Sequence, residues 1–467
     1  MKIKKLLSVL LVLSVSVSML CGCGEEEEDA VVLRISNWEE YIDEGDWDED
    51  EVIDLADGTD ILGVNEMTED FEEWYYETYG QKVIVEYSTF GTNEELYNQL
   101  TIGDVYDLVC PSEYMIMKMM REGMLMPYSS DFYNEADENN YYANGVSPYI
   151  KGVYDTLNIN GEILSTYAAG YMWGTLGLVY NPEEVTDEEA AHWDLLMNKK
   201  FDKRVTIKDS VRDAYFGAVC SLYYDEITEE SFINSSKYHD NLSEVLNRTD
   251  EKTVEGVQDI LTACKNNVYS FETDAGKADM VTGKVVANEQ WSGDAVYTMD
   301  QAEEDGLILC YSAPEEGTNL WFDGWVMLKK GINEDSRKQH AAEAFVNFVS
   351  RPDNAIRNMY YIGYSSVISG GDSNLIYDYI DWNYGTEEDE GIDYDLAYFF
   401  DGENSQSEDY VILADEEQLN RQLYAQYPTK DVVDRSVVMA CFDDEDNERI
   451  NRMWTNVRCF DIKSLFN

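Results

Sequence analysis

The sequence has few basic residues for its length. Lysine and arginine number 33 against 95 aspartate and glutamate residues, so the formal net charge at pH 7 is −62. Nucleic acids and anionic membrane surfaces are recognised mainly through clusters of Lys and Arg, which this composition disfavours. An acidic surface also concentrates small cations, although most of these carboxylates are expected only to keep the protein in solution. The charge alone therefore does not identify a ligand.

The sequence also lacks the motifs of common catalytic and metal sites. It contains no His-Glu-x-x-His, no Gly-x-Ser-x-Gly and no glycine loop of the phosphate-binding type. The three histidines are far apart in sequence, and no pattern nominates a general base. The six cysteines that follow residue 23 include no Cys-x-x-Cys pair, which disfavours a zinc site, but they leave both disulfides and buried thiols open. We predict no catalytic residue, no metal and no cofactor, and therefore not an enzyme.

Long apolar runs are absent except at the N-terminus. A short basic start at residues 1–5 precedes an apolar run over residues 6–20. This run is too short to span a bilayer and is typical of a signal peptide. Residues 1–22 are therefore predicted to be removed on export. Their loss takes away three lysines and no acidic residue, which changes the net charge from −62 to −65.

The end of this run, Leu20-Cys21-Gly22-Cys23, resembles the bacterial lipobox, whose last cysteine carries the lipid. We assign lipid attachment to Cys23 because bulky Met19 and Leu20 precede Cys21 where a small residue is expected. The alternative is an ordinary signal peptide cut near Gly22, without a lipid. Residues 23–30, which are mostly acidic, are predicted to form a tether between the membrane surface and the folded body.

From residue 31 the sequence alternates between strand and helix patterns. Residues 31–36, 82–87 and 106–110 are strand-like, and helical patterns cover residues 70–79 and 93–101 between them. This order predicts a doubly wound α/β sheet. A second unit is predicted from strands at residues 177–180, 204–207, 284–287 and 306–309, with a helix over residues 214–224. Residues 372–428 look like an acidic, tyrosine-rich insertion, to which we assign no function.

Aromatic and acidic motifs recur in a fixed order along the chain. They are Asn37-Trp38-Glu39-Glu40-Tyr41, Pro111-Ser112-Glu113-Tyr114, Trp173-Gly174, Trp291-Ser292-Gly293-Asp294, Trp321-Phe322-Asp323, Arg351-Pro352-Asp353 and Ile362-Gly363-Tyr364. In this order they resemble the polyamine-binding proteins of bacterial ABC transporters, the spermidine and putrescine receptors, from about residue 31 to residue 367. Any single motif would be a weak signal, whereas the ordered set is specific.

The resemblance implies an α/β, two-lobed fold of the type II periplasmic-binding-protein kind, with a ligand cleft between the lobes. Lobe 1 is predicted to comprise residues 31–155 and about 323–370, and lobe 2 residues 156–322 and about 371–467. The implied function is an extracytoplasmic, lipid-anchored and monomeric receptor that captures putrescine or spermidine and delivers it to an ABC permease. Nucleic acid is not an expected partner.

The resemblance also implies which residues line the cleft: Trp38, Tyr41, Ser112, Tyr114, Trp291, Trp321, Asp323 and Tyr364. Asp213 and Asp294 are added as further acids, the latter because its Trp-x-Gly-Asp motif looks more like that of the putrescine-type receptors. The chemistry is consistent, since a polyamine needs aromatic walls for its methylenes and carboxylates for its ammonium groups. By spacing alone, the tryptophans also suit a core, and Asp294 and Asp323 also suit turns.

The chain departs from the family pattern in several places. Residues 363–368 read Gly-Tyr-Ser-Ser-Val-Ile, Ser210 stands where some members carry an acid, and residues 43–66 form an extra acidic segment. The choice between diamine and triamine therefore stays open. Two other functions also stay open: a carbohydrate receptor, which would share the aromatic surfaces, and a calcium-stabilised surface adhesion lipoprotein, for which the acidic insertions are the best argument.

Overall fold

The structure, a computed structural model, describes residues 30–48, 51–386, 391–405 and 407–459. The predicted signal peptide, Cys23 and all but the last residue of the predicted tether lie outside these ranges. No helix within the described ranges has both the length and the apolar character needed to cross a membrane.

Strands occur along the whole of the described chain. They are β1 (Val31–Trp38), β2 (Ile53–Asp54), β3 (Asp60–Ile61), β4 (Val83–Phe90), β5 (Leu108–Val109), β6 (Leu125–Met126), β7 (Asn158–Ile159), β8 (Glu162–Ile163), β9 (Ala168–Tyr180), β10 (Val205–Lys208), β11 (Ser270–Glu272), β12 (Ala287–Trp291), β13 (Cys310–Ser312), β14 (Thr318–Leu328), β15 (Ser365–Ser366), β16 (Ile392–Asp395), β17 (Val411–Ala414) and β18 (Ser436–Val437).

Helices connect and cover these strands. The α-helices are α1 (Met67–Tyr79), α2 (Asn93–Ile102), α3 (Glu113–Arg121), α4 (Tyr141–Gly145), α5 (Pro148–Thr156), α6 (Asp187–Ala190), α7 (Val211–Leu222), α8 (Tyr224–Ile227), α9 (Glu230–Ile233), α10 (Tyr238–Leu246), α11 (Glu251–Asn267), α12 (Ala275–Val281), α13 (Ser292–Glu304), α14 (Lys329–Ile332), α15 (Ser336–Val349), α16 (Pro352–Ile362), α17 (Leu375–Tyr384), α18 (Ala397–Asp401), α19 (Gln422–Gln426), α20 (Lys430–Asp434) and α21 (Asp444–Cys459). Short 3₁₀ turns lie at Leu164–Thr166, Trp193–Met197, Lys199–Phe201 and Glu416–Asn420.

The main sheet consists of two parallel groups joined by two long antiparallel strands. Its strand order is β11-β10-β12-β9-β14-β5-β1-β4. Strand β1 is parallel to β4 and β5, and β10 is parallel to β11 and β12. Strands β9 and β14 pair antiparallel with each other along most of their length. Every residue of both strands is buried. The two strands therefore form the buried centre of the sheet that connects the two groups.

Two of the predicted strands are wrong in position. Residues 284–287 and 306–309 were expected to be strands, but β12 begins at Ala287 and β13 at Cys310. In both places a glycine with positive φ, Gly283 or Gly306, turns the chain just after a helix. Apolar residues follow each glycine, and Val285, Val286 and Leu309 are buried before strand pairing begins, which makes the sequence look strand-like too early. The helices predicted around residues 70–79, 93–101 and 214–224 are present with slightly different ends.

Buried side chains form two large cores, one on each group of strands. The first includes Leu33, Val109 and Phe345, and the second includes Ile207, Val219 and Leu261. The tyrosine-rich segment packs on the first core through residues such as Phe399 and Tyr427, whereas residues 437–457 contribute to the second core. This packing differs from the sequence-based grouping, which placed the whole of residues 371–467 with lobe 2; the lobe boundaries themselves stay a prediction.

The extra acidic segment at residues 43–66 is attached to the first core by a buried ion-pair network. The guanidinium of Arg357, on α16, donates to Asp43 at 2.7 Å and to Asp70 at 2.7 Å, and it also donates to the backbone carbonyl of Asn65 at 2.8 Å. Arg357 and Asp43 are both buried. Asp43, Asn65 and Asp70 are therefore held against α16, and the buried carboxylate of Asp43 has a basic partner.

The six cysteines of the described ranges are all unpaired thiols. Cys110, Cys220, Cys264 and Cys310 are buried. Burial raises the pKa of the Cys110 and Cys220 thiols well above the ordinary value, which keeps these side chains protonated and unreactive. The alternative of buried thiols, left open by the sequence, thus describes these positions.

Candidate functional site

Asp323 lies in the middle of β14, where the pairing with β9 shifts register between Asp323 and Gly324. The carboxylate accepts a hydrogen bond from the Ser112 hydroxyl at 2.7 Å and another from the Tyr41 hydroxyl at 2.8 Å. Asp323 is 6% exposed, and within the described ranges no Lys, Arg or His forms an ion pair with it. Burial raises its pKa to about 6, and the two hydroxyl donors limit this rise. Asp323 is therefore a buried carboxylate whose hydrogen-bond partners are neutral.

The orientation of Ser112 is fixed by Asn93, at the start of α2. The Asn93 amide donates to the Ser112 hydroxyl oxygen at 3.0 Å and to the Tyr114 hydroxyl at 3.0 Å. Its carbonyl oxygen accepts from the backbone N–H of Ser112 at 3.0 Å. Because the Ser112 oxygen accepts from Asn93, its own proton is free to point at Asp323. Sequence reasoning missed Asn93, which sits outside the motifs that carried the resemblance.

A wall of aromatic rings extends from Asp323 toward the second group of strands. The Tyr41 and Tyr364 rings meet edge to face at 5.3 Å, and Tyr364 meets Trp321 at 5.4 Å. The Tyr364 hydroxyl then donates to Asp294 at 3.0 Å. Rings from β14 and from the loops after β1 and α16 thus form one continuous surface. Apolar methylenes pack well on such rings, and ammonium groups are attracted to their faces.

Gly293 explains why the Trp-x-Gly-Asp motif contains a glycine. A Cβ atom at this position would lie 2.2 Å from the ring of Tyr364, a separation that no side chain tolerates. The missing side chain allows the start of α13 to approach the aromatic wall. The glycine is therefore required for Asp294 to reach the Tyr364 hydroxyl.

Asp294 is already paired with two basic residues. The Lys208 ammonium lies 3.3 Å from one carboxylate oxygen and the Lys277 ammonium 3.4 Å from the other. Burial opposes ionisation of Asp294, but the two lysines and the Tyr364 hydroxyl outweigh it and hold its pKa below the ordinary value. Asp294 is thus ionised and neutralised within the protein itself. Sequence reasoning missed both lysines; the one available signal was a lysine at the end of the otherwise uncharged strand β10.

Asp213 lies in the first turn of α7, and in the part of the chain that the structure describes it forms no ion pair. The indole N–H of Trp291 donates to its carboxylate at 3.4 Å, and its own backbone N–H donates to the hydroxyl of the N-cap residue Ser210. Burial raises the pKa of Asp213, while hydrogen bonds from Ser210 and Trp291 and the nearby positive charges of Lys208 and Arg212 act in the opposite direction. The neighbouring Arg212 turns away from it and donates to the Ala440 carbonyl at 2.7 Å.

Tyr114 and Trp38 take different places relative to this cluster. The guanidinium of Arg212 lies 4.6 Å from the centre of the Tyr114 ring, which brings a residue of α3 next to a residue of α7. Trp38 packs on Phe90 with ring centres 4.8 Å apart. Within the described ranges, no hydrogen bond or ring contact joins Trp38 to the other nine predicted residues. The structure therefore brings nine of the ten together and leaves Trp38 adjacent to the first core.

Two more carboxyl groups lie close to the site. Glu113 follows Ser112, and its carboxyl accepts from the backbone N–H of Phe322 at 3.3 Å. Glu289 accepts from the backbone N–H of Lys208 at 2.9 Å. Burial raises the pKa of each to about 8, so both are mainly protonated at neutral pH. Among the described residues, Asp323 and Asp213 are then the buried acids of this cluster that lack a basic partner.

One group of side chains elsewhere in the described ranges has the spacing of metal ligands. His239, Glu403 and Asp434 offer ligand atoms within 4.8 Å of one another. Lys430 already pairs with Asp434, and the group lies on the surface. It is separate from the cluster around Asp323.

Comparison with known sequences gives a consistent family match. The sequence profile of the bacterial extracellular solute-binding proteins matches residues 66–374. The spermidine/putrescine-binding periplasmic protein of Escherichia coli K12 is 27% identical over 295 residues, which cover 63% of this chain and 72% of that protein. A putrescine-binding periplasmic protein of Pseudomonas aeruginosa is 24% identical over 347 residues, covering 70% and 75% of the two chains.

Solved structures show the same fold. A spermidine/putrescine ABC transporter substrate-binding protein from Streptococcus pneumoniae, crystallised with calcium and HEPES, superposes with a TM-score of 0.57 at 24% identity, covering 92% of this chain and 99% of that one. A lipoprotein of Treponema pallidum gives 0.59 at 16% identity, covering 91% and 99%. The expected α/β, two-lobed periplasmic-binding-protein fold is confirmed.

Proposed function

The chain belongs to the family of bacterial extracellular solute-binding proteins, and from this premise we propose that it captures polyamines and delivers them to an ABC importer. Its relatives bear the names of spermidine and putrescine receptors. The ligand is held between the two lobes and released to a permease of the importer. The protein has a binding role and is proposed to carry out no reaction.

One observation carries the proposal: two buried carboxylates, Asp323 and Asp213, form no ion pair among the described residues, and each accepts a hydrogen bond from an aromatic side chain, Tyr41 or Trp291. Asp323 receives only hydroxyl hydrogen bonds, and Asp213 only the indole N–H of Trp291 and the contact with its N-cap serine. A buried anion without a counter-charge is unfavourable. An ammonium group at each carboxylate would remove that penalty, and the rings of Tyr364 and Trp321 would cover the methylenes between them.

The fold supports a coupling between binding and lobe closure. The carboxylate of Asp323 belongs to the strand that connects the two cores, whereas Asp213 starts a helix on the second core. A dication that pairs with both carboxylates would hold the two lobes together. If the lobes separate, the dication can stay with only one carboxylate, and its other ammonium loses its counter-charge. We propose that lobe 1 also includes the tyrosine-rich segment, of which Tyr379, Phe399 and Tyr427 pack on the first core, and that residues 437–457 belong to lobe 2.

The attachment to the membrane is part of the proposal. Cys23, after removal of residues 1–22, would carry a lipid at the outer face of the cell membrane, with residues 23–30 as the tether. Labelling of the expressed protein with a radioactive or alkyne-tagged fatty acid tests this assignment. The Cys23→Ser variant should lose the label and Cys21→Ser should retain it. Label that persists in Cys23→Ser would contradict the assignment.

A neutral sugar would use only half of this site. The aromatic surfaces suit a sugar ring, but a neutral ligand would leave the buried carboxylates of Asp323 and Asp213 without an ion pair. The acidic segment at residues 43–66, which suggested a calcium-stabilised adhesion protein, contains Asp43 in an ion pair with Arg357. Neither observation favours a function other than amine capture.

Calorimetric titration of residues 24–467 with putrescine, spermidine and a neutral hexose tests the proposal directly. We expect saturable heat with at least one amine and none with the hexose. A hexose signal without an amine signal would instead identify a carbohydrate receptor. A melting temperature that rises with calcium but not with either amine would identify the adhesion alternative.

A further inference from the structure

The side chain of Lys208 ends inside the aromatic and acidic cluster. Its ammonium lies 4.0 Å from the centre of the Trp291 ring, 3.3 Å from a carboxylate oxygen of Asp294 and 2.8 Å from the carbonyl oxygen of Thr273. Lys208 as a whole is 1% exposed. An aromatic face, a carboxylate and a carbonyl are the contacts that a primary ammonium group of a bound amine requires. Here the protein supplies such a group from its own chain.

The charges of the cluster indicate that this position needs no further cation. Asp294 accepts from Lys208 on one oxygen and from Lys277 and Tyr364 on the other. Its negative charge is therefore balanced, and its acceptor positions are used. The acids of the cluster that lack a basic partner in the described ranges are Asp323 and Asp213. At these two carboxylates a ligand ammonium would meet an acid that forms no ion pair.

We infer that Lys208 determines the ligand class by standing in for a third ammonium group. The proposal deepens the polyamine-binding function and rests on it. A linear diamine would place one ammonium at Asp323 and one at Asp213, the two acids without an ion pair, and would leave the Lys208–Asp294 pair intact. A triamine of the spermidine type would bring a third ammonium into the same buried cluster, where Asp294 is already neutralised and like charges repel. The site is selective for diamines because of this intrinsic cation.

The affinity ratio of the natural protein is the first test. Putrescine and spermidine are titrated separately into the full mature chain under identical buffer conditions. We expect putrescine to bind at least about tenfold more tightly than spermidine. Equal affinities, or tighter binding of spermidine, would overturn the role of Lys208. Failure to bind either amine would instead refute the proposed function, so that the two failures are distinguishable.

Substitution of Lys208 is the second test. Lys208→Met keeps most of the aliphatic stem and removes the ammonium, so that the Asp294 oxygen that faced Lys208 becomes available to a ligand cation, while the other oxygen still faces Lys277. We expect spermidine affinity to rise by about tenfold or more relative to putrescine. Lys208→Gln, which keeps a donor for Thr273 without the charge, should change the ratio in the same direction and serves if the methionine variant does not fold. An unchanged ratio in the folded variant would overturn the proposal.

Lys277→Met is the matched control. This residue also contacts Asp294, but its side chain is 25% exposed and the ring nearest its ammonium is that of Tyr297 at 5.6 Å. The Lys277→Met substitution removes one of the two ammonium groups that contact Asp294 and leaves the Lys208 ammonium over the Trp291 ring. We expect the ratio of the two affinities to change less than about threefold. A shift as large as that of Lys208→Met would show that net charge, and not the position of Lys208, sets the selectivity.

Discussion

Replacement of Asp323 by asparagine is expected to stabilise the ligand-free protein and to weaken amine binding at the same time. The side chains have nearly the same shape, so the change mainly removes a buried negative charge. The charge is unfavourable in the ligand-free protein because, among the described residues, it has no basic partner and receives only the hydroxyl protons of Ser112 and Tyr41. It is favourable in the complex, where an ammonium group would face it.

The magnitude follows from the pKa of Asp323, which burial raises from 3.8 to about 6. Each pK unit corresponds to about 1.4 kcal/mol, so the ionised carboxylate makes the folded state less stable by about 3 kcal/mol at pH 7.5. The amide of the Asp323→Asn variant satisfies the two hydroxyl groups less well, at a cost of about 1 kcal/mol. The net stabilisation is about 1 to 2 kcal/mol. In the complex, loss of the counter-charge is expected to weaken amine binding at least about a hundredfold.

The dependence of stability on pH tests whether the Asp323→Asn variant is more stable than the wild-type protein for the stated reason. The folded-state pKa lies above the unfolded value, so the wild-type protein gains stability as Asp323 is protonated between about pH 6 and about pH 4. The amide of Asp323→Asn does not titrate, and the advantage of this variant should therefore be present at pH 7.5 and absent near pH 4. Thermal unfolding of both proteins at the two pH values measures this difference.

Asp300 provides a matched control for the same substitution. Burial also raises its pKa to about 6, and its carboxylate accepts from the side-chain amide of Gln422, on α19, at 3.0 Å. Asp300→Asn should stabilise the protein similarly but leave amine affinity unchanged. The reasoning would be refuted if Asp323→Asn were less stable than wild type at pH 7.5 while retaining full affinity for amines.

Three further predictions concern the site and its support. Amine affinity should fall at least about tenfold between pH 7.5 and pH 5, measured by calorimetry, because protonation of Asp323 near pH 6 removes the charge that pairs with ammonium; a flat profile would contradict this. Trp321→Leu should weaken binding about tenfold through the loss of a cation-attracting ring, and it should also lower the melting temperature of the ligand-free protein because Trp321 is buried in the first core. Arg357→Met should destabilise the protein by about 3 to 5 kcal/mol in urea unfolding because it leaves buried Asp43 unpaired, whereas Arg351→Met, which breaks a partly exposed pair, should change stability by less than about 1 kcal/mol.

Local sequence patterns predicted many elements but not their junctions. The amphipathic pattern of Phe71 and Tyr75 correctly indicated α1, because the same residues that repeat at helical spacing are those buried against the first core. The apolar residues after Gly283 and Gly306 indicated strands that begin several residues later. Val285, Val286 and Leu309 are buried before the strands begin to pair, and periodicity in a single sequence cannot separate such an entry loop from a strand.

Local sequence patterns were also insufficient to identify every residue of the candidate site, because some of these residues are far apart in the chain. The motifs around Tyr41, Asp323 and Tyr364 were identified together, and the structure places their side chains in contact. Asn93 and Lys208 were not identified, although they orient Ser112 and neutralise Asp294. Each is an isolated polar residue in an ordinary-looking segment, so only its spatial neighbours reveal what it does.

The sequence by itself determined the alternation of strands and helices, the order of the aromatic and acidic motifs and the acidic character of the chain, since these depend on composition and on short-range periodicity. Only the tertiary structure decided which acids of the described cluster lack a basic partner. Ser112 meets Asp323 across 211 positions of the chain and Lys208 meets Asp294 across 86. Such pairs depend on the crossing of β9 and β14 between two parallel groups of strands. Electrostatic pairing acts over a few ångströms of space, and no local pattern in the chain encodes which distant residues will share that space.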